Sequence, residues 1–363
     1  MAKSAVDVIG VTFEHTKQQL LQPFRLGQWG RLALLGMATG EMSTGGGCNS
    51  IATLPSHFPS SHGQQSFMAP AGLPHFDPAV IGSMILVLVV GGIVLGLVWI
   101  YVASVSRFLL FEAVLRKQCE LGTAWDRWQG QGLRLFWFQL ALAVITLGIA
   151  GLMLLPLLIP LFAAIKGHGH VGPGLILAFL PLLLIFGVFS LFMLLVAVLT
   201  KDFVVPMMAL DGVGVFEAWR RVLAMMKAEK GGYAGYIGMK IVLAIGAGVV
   251  FSVITGIVLV ILLIPGAVVG AIAVVIGKSA GLSLNAATLT LAIVVGTLLL
   301  GVLLYVVAFV CVPVVVFFPA YAMYFFAERY PQLHARLYPS SGGGVGATAP
   351  EPPPLPPAPA PIG

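Results

Sequence analysis

Long apolar stretches separated by short polar segments set the rhythm of this chain. Asp77 and Arg107 enclose the first, AVIGSMILVLVVGGIVLGLVWIYVASV. Others lie between Arg134 and Lys166, Lys166 and Lys201, Lys240 and Lys278, and Lys278 and Glu328. Each is long enough for the roughly 20-residue helix that crosses a bilayer core. None alternates apolar with polar residues, as the strands of a membrane barrel must. A weaker segment precedes them at residues 26–43, where only LALLGMATG separates Arg31 from Glu41. It spans if Arg31 and Glu41 snorkel to opposite interfaces, and is otherwise half-buried or re-entrant.

The pattern predicts an all-α polytopic membrane bundle of about six transmembrane helices with amphipathic interfacial helices. The spans fall near residues 26–43, 79–106, 135–165, 174–200, 236–264 and 286–312, with an outer loop at 44–78. Within residues 1–25, Val6, Ile9, Phe13 and Leu20 recur at helical spacing, and Pro23 then breaks the helix. In the same way Phe216, Trp219, Leu223 and Met226 form an apolar stripe, with Glu217, Arg220, Arg221 and Lys227 elsewhere. Such helices lie in a membrane interface. Pro265-Gly266 is expected to end the fifth span. Pro313 and Pro319 are expected to kink the last apolar run and lead it into an interfacial segment. Gly91, Gly92, Gly96, Gly246 and Gly248 suit close helix contacts. The tail, residues 339–363, is Gly- then Pro-rich and has almost nothing to bury, so disorder is expected there.

Segments between spans resemble one another. Ser106-Arg107-Phe108 is followed by Trp125-Asp126-Arg127, and Lys201-Asp202-Phe203 by Trp219-Arg220-Arg221, at nearly equal distances. Phe317-Phe318-Pro319 is a weaker echo. The spacing predicts three units, each an interfacial helix followed by a membrane hairpin. Internal repeats are common in transporters, and they also arise by duplication alone.

Composition narrows the class further. Apolar residues make up 59% and charged residues 9%, against roughly 25% charged in soluble domains. A mean hydropathy of +1.03 agrees. A cytosolic enzyme, a disordered chain and a disulfide scaffold are excluded. The net charge of +6 comes from dispersed cations, not from a dense basic run, so no nucleic-acid partner is expected. Six spans with the N-terminus inside place seventeen of the nineteen Lys and Arg on the inner side, leaving Lys166 and Lys278 outside. Without the first span the split falls to thirteen and six, so the positive-inside rule favours six spans with both termini cytoplasmic. The start, MAKSAVDVIGVTFEHTKQQLL, lacks the apolar core of a signal peptide.

Candidate chemistry is sparse. Asp202 sits where the fourth span ends, four residues before Pro206. It either caps a new helix or lines a cavity, pairing with Arg107 at the equivalent repeat position. With Arg107, Trp125, Pro206, Trp219, Arg220 and Arg221 it completes the set of polar or interfacial candidates. His57, His62, His75, His168, His170 and Cys48 fall on the outer side, in spacings that match no zinc site. Cys48, Cys119 and Cys311 read as free thiols. No HExxH, GxSxG or paired intramembrane carboxylate occurs. No catalytic residue, metal or cofactor is therefore expected.

The stretch VVPMMALDGVGVFEAWRRVLAMMK, followed by a span and then VVFFPAYAMYFFAERYPQL, resembles the membrane domain found with some bacterial glycerophosphodiester phosphodiesterases. Together with LLQPFRLGQWGRLALLG and STGGGCN it also resembles stand-alone bacterial multi-pass proteins of unknown function. The phosphodiesterase chemistry belongs to a separate soluble barrel that has no counterpart here. The resemblance thus implies a bacterial inner-membrane location and a helical membrane fold, without that activity. Two functions follow as expectations. One is a non-enzymatic scaffold or partner subunit that touches anionic lipid at the cytoplasmic face. The other is a permease-like transporter of a neutral or lipidic solute.

Overall fold

The computed structural model describes residues 4–44, 78–165, 173–279 and 286–338. Its helices are α1 (Val8–Leu21), α2 (Leu26–Thr39), α3 (Glu41–Thr44), α4 (Pro78–Arg116), α5 (Leu121–Ile165), α6 (Pro173–Leu199), α7 (Val205–Asp211), α8 (Val215–Ala228), α9 (Lys230–Ser279), α10 (Ala286–Val310), α11 (Val312–Ala327) and α12 (Pro331–Leu337). A π-helical turn, Thr200–Val204, joins α6 to α7. No strand occurs among the described residues.

Five helices are long and apolar enough to cross a membrane: Gly82–Arg116, Leu121–Leu155, Leu180–Asp211, Lys230–Gly266 and Ile293–Val310. The chain is a multi-pass membrane protein. The five overlap the residue ranges expected for the second to sixth spans, with different bounds. Residues 26–43 form the 14-residue helix α2, closed by Gly40 at φ 72°, and then the short α3. A 14-residue helix covers only about 21 Å, less than the roughly 30 Å hydrocarbon core.

Burial is concentrated at one end, here called the base. Phe108, Leu135, Phe203, Val222, Tyr236 and the whole inner surface around α11 are buried there. Beyond the base the long helices extend as arms. In the most apolar windows of α4 and α5 no residue is buried inside the chain, and in the other three at most 11% are. At 1.5 Å per residue the 50-residue α9 is about 75 Å long, well beyond one bilayer core.

The base is built around α11. Its Val, Phe, Ala, Tyr and Met side chains leave no polar face, so nearly all of its surface is covered. The helices α1, α2, α4, α10 and α12 and the π turn surround it. Pro313 has no N–H to continue the α10 ladder, and the helix breaks at Cys311. The expected interfacial segment is thus the centre of the core, because it is apolar on every side.

The N-terminal helices close the end of α4. A helix leaves its last carbonyls without partners. Gln19 Nε2 donates to the Ala113 carbonyl at 3.0 Å, and the His15 ring bonds the Val114 carbonyl at 3.0 Å. Further on, Gln28 Nε2 donates to the Lys117 carbonyl and Arg31 to that of Cys119, both at 2.9 Å. The buried face of α1 therefore carries Thr12, His15, Thr16 and Gln19 beside Val8 and Leu20, while Val6 and Phe13 are exposed. On α8 the inward stripe is Val215, Ala218 and Val222, and Phe216 is 80% exposed.

Several expectations need correction. α9 continues through Pro265; in lipid, ending the helix would leave more backbone groups unpaired than one proline does. Gly91, Gly92, Gly96 and Gly246 have open space where a Cβ would lie, so they make no close contact within the chain. The tight approaches lie at the base, where a Cβ on Gly36 would meet Val315 Cγ2 at 2.5 Å and one on Gly132 would meet Val105 Cγ2 at 2.5 Å. Cys311 is disulfide-bonded and Cys119 is free, so the expectation of three free thiols fails at Cys311. Trp125 lies in the first turns of the continuous α5, not on a separate interfacial helix. The unit at Trp219 does keep a break, at Glu229 between α8 and α9. The tail and nearly all of the outer loop lie outside the described residues.

Candidate functional site: a buried charge cluster in the base

Pro206 shapes the centre of this site. It cannot donate to the carbonyl four residues back, that of Asp202, and the helix widens there into the π turn. The turn holds Lys201 and Asp202 inside the base. Thr200, buried beside them, bonds back to the Val196 carbonyl at 2.7 Å.

Asp202 faces α9. Tyr236 and Lys240 are four residues apart and so share one helix face. The Lys240 ammonium pairs with Asp202 Oδ2, and the Tyr236 hydroxyl donates to the same oxygen at 3.0 Å. Both side chains rest on an aromatic wall. The Tyr236 ring is stacked on Tyr321 at 5.3 Å, and Phe203 lies among Tyr233, Tyr236, Phe325 and Phe326.

Glu41 enters from the other side. Gly40, in the left-handed region, ends α2 and turns the chain. Glu41 Oε2 then pairs with Lys201 Nζ at 2.8 Å, both side chains being about nine-tenths buried. Arg107 of α4 completes the cluster. Its Nε is buried and has no hydrogen-bond partner. These groups line a cavity of about 30 Å³ with Leu110, Phe111, Pro206 and Met323 among its walls. That is room for one or two waters.

Sequence reasoning brought part of this together. Arg107, Asp202 and Pro206 do line one cavity. Asp202, however, makes no helix cap, and its partner is Lys240 rather than Arg107. The other candidates lie elsewhere. The Trp125 ring meets Tyr101 edge-on at 6.3 Å. Trp219 is partly buried, and its Nε1 has no partner. Arg220 and Arg221 both bind Glu217 at 2.9 Å, and Arg221 also reaches Asp211 at 2.8 Å. The hydrogen bond from Arg221 holds the Glu217 carboxyl below its usual range, with the Arg220 charge adding to this.

Glu41, Lys201, Tyr236 and Lys240 were not singled out from sequence. One signal was available, the four-residue spacing of Tyr236 and Lys240 at the start of an apolar run.

The repeat survives in two carboxylates near the base. Glu112 accepts from Arg127 and Trp128 and pairs with Arg116 at 3.1 Å. Asp211 accepts from Arg221 and Tyr330. In each unit an arginine of the following helix ties back to the preceding one.

Among the described residues no group of three or more His, Cys, Asp or Glu could hold a metal. The outer histidines and Cys48 lie outside those residues.

The chain belongs to a family of unknown function, DUF7544, whose model matches residues 3–336. No curated protein and no solved structure matches it.

Proposed function

We propose that this chain is a non-enzymatic scaffold or partner subunit of the bacterial inner membrane. In this reading the base faces the cytoplasm and both termini lie there. One observation carries it: the folding core occupies one end, while the arms bury almost nothing within the chain. Apolar arms this open need cover, which lipid or the spans of another protein can supply. Gly91, Gly92 and Gly96, with open space beside them, offer a neighbouring helix a close approach. Support for a shared orientation of the termini comes from the base, where Tyr321 donates to the Ala5 carbonyl at 3.0 Å and Tyr338 meets Tyr324. The exposed Phe216 and Leu223 beside Arg220 and Arg221 suit an anionic lipid interface. The resemblance to a phosphodiesterase-associated membrane domain supports a partner role and not the activity. Transport of a neutral or lipidic solute has weaker support, since the cavity at the charge cluster is the size of one or two waters.

Photo-crosslinking in cells tests the reading. A crosslinking residue is placed at Leu95, Val253 or Leu299, all exposed on the arms. A scaffold gives a protein adduct of one discrete mass from at least one arm. Lipid adducts alone from all three arms contradict it.

A further inference from the structure

The charge cluster does not balance. Lys201 is matched by Glu41, and Lys240 by Asp202. Arg107 remains, with no ion pair within 4.0 Å and with its Nε buried and unpartnered. Glu41 is the carboxylate that faces it, and that group is already committed to Lys201. An arginine cannot shed its charge, because its guanidinium stays protonated at any ordinary pH. Arg107 is partly buried, and a cation held partly out of water without a counter-charge is disfavoured. The cluster therefore holds one positive charge in excess, beside a cavity able to admit a counter-charge.

From this we infer that the Arg107 cavity is a site for the oxygens of one phosphate group. The planar donor fork of arginine matches phosphate oxygens, and the nearby lysines add field. A phosphodiester carries a single negative charge, which equals the excess. The size is consistent with partial entry: about 30 Å³ admits oxygens and leaves the rest of the ligand outside. Leu110, Phe111, Pro319 and Met323 make the remaining wall apolar, and the lipid-exposed length of α4 begins within three turns of Arg107. Two sources share this chemistry, the headgroup of a phosphodiester lipid and free phosphate. The inference deepens the proposed contact with anionic lipid but does not depend on a partner protein.

The experiment measures thermal stability of the full chain in two settings. One is phosphatidylcholine nanodiscs with increasing phosphatidylglycerol. The other is detergent with inorganic phosphate, against chloride at equal ionic strength. The wild type should show a saturable rise in melting temperature with phosphatidylglycerol. In Arg107→Gln the half-saturating fraction should rise at least tenfold. A saturable response to inorganic phosphate that Arg107→Gln abolishes supports the site with free phosphate as a source. A lipid response without one supports the headgroup as the source. The inference is overturned if wild type and Arg107→Gln respond alike, or if neither phosphate source has an effect. Should Arg107→Gln fail to fold, Glu41→Gln decides. It adds a second excess charge and should tighten binding several-fold, whereas unchanged or weaker binding contradicts the site. Loss of the arm crosslinks leaves these outcomes untouched, so the two readings fail separately.

Discussion

Asp202 and Lys240 stand 38 positions apart in the chain and meet in a buried ion pair inside the base, with 4% and 7% of their surfaces exposed. The pair locks the π turn to α9. It also orients Tyr236, whose hydroxyl shares the carboxylate and whose ring stacks on Tyr321 of the central helix α11. One carboxylate thereby links three separate segments of the fold.

Breaking this pair on one side should be costly. Lys240→Met leaves Asp202 buried with only Tyr236 as donor, and a stranded buried charge costs about 3–5 kcal/mol. The double variant Asp202→Asn with Lys240→Met should recover more than half of that loss. A double-mutant cycle from unfolding in detergent checks both values. Additive losses would mean that the two groups do not interact.

Acid should loosen the contact of α1 with the end of α4. His15 is buried, with Nδ1 2.9 Å from the Tyr324 hydroxyl and Nε2 3.0 Å from the Val114 carbonyl. Neutral imidazole satisfies both if Nε2 carries the proton. Burial, with help from the Lys117 charge, lowers its pKa from 6.5 to about 4. The unfolded chain thus binds the proton more readily than the native one between those values. Stability is full above pH 6.5 and falls as pH drops toward 4, by about 3 kcal/mol in total. Melting temperature against pH should show this slope in the wild type and a flatter one in His15→Gln.

Glycine substitutions should separate base from arms. Gly36→Ala puts a methyl group 2.5 Å from Val315 Cγ2 in a filled core, and overpacking of this kind costs about 1–3 kcal/mol. Gly92→Ala and Gly246→Ala meet nothing and should be neutral or slightly stabilising. Thermal unfolding of the three variants in one detergent makes the comparison.

The arms were legible in the sequence because a bilayer demands long uninterrupted apolar runs, and the apolar runs from residue 79 onward fall within long helices. The base was not. Its central helix, α11, is as apolar as a span, so nothing local distinguished a core helix from an interfacial one. Periodicity on α8 found the Phe216, Trp219, Leu223 and Met226 stripe, of which Trp219 and Met226 pack against the core, but the fully buried stripe is Val215, Ala218 and Val222. That choice depends on neighbours distant in sequence. The charge cluster illustrates the same point. Arg107 and Asp202 stood out as charges at span ends, yet their arrangement depends on Glu41 and Lys240, which come from two other segments. Pairing of lone charges from separate helices has no periodic signature.

Spin labels placed one at a time on the purified chain in nanodiscs test the division into base and arms most directly. Leu95, Val253 and Leu299 report on the arms, and Phe108 and Phe325 on the base. Collision with oxygen measures contact with lipid, and collision with a water-soluble nickel complex measures contact with water. High oxygen and low nickel accessibility are expected at all three arm positions, with both low at Phe108 and Phe325. Arm labels shielded from both reagents, as in a closed bundle, would contradict the account.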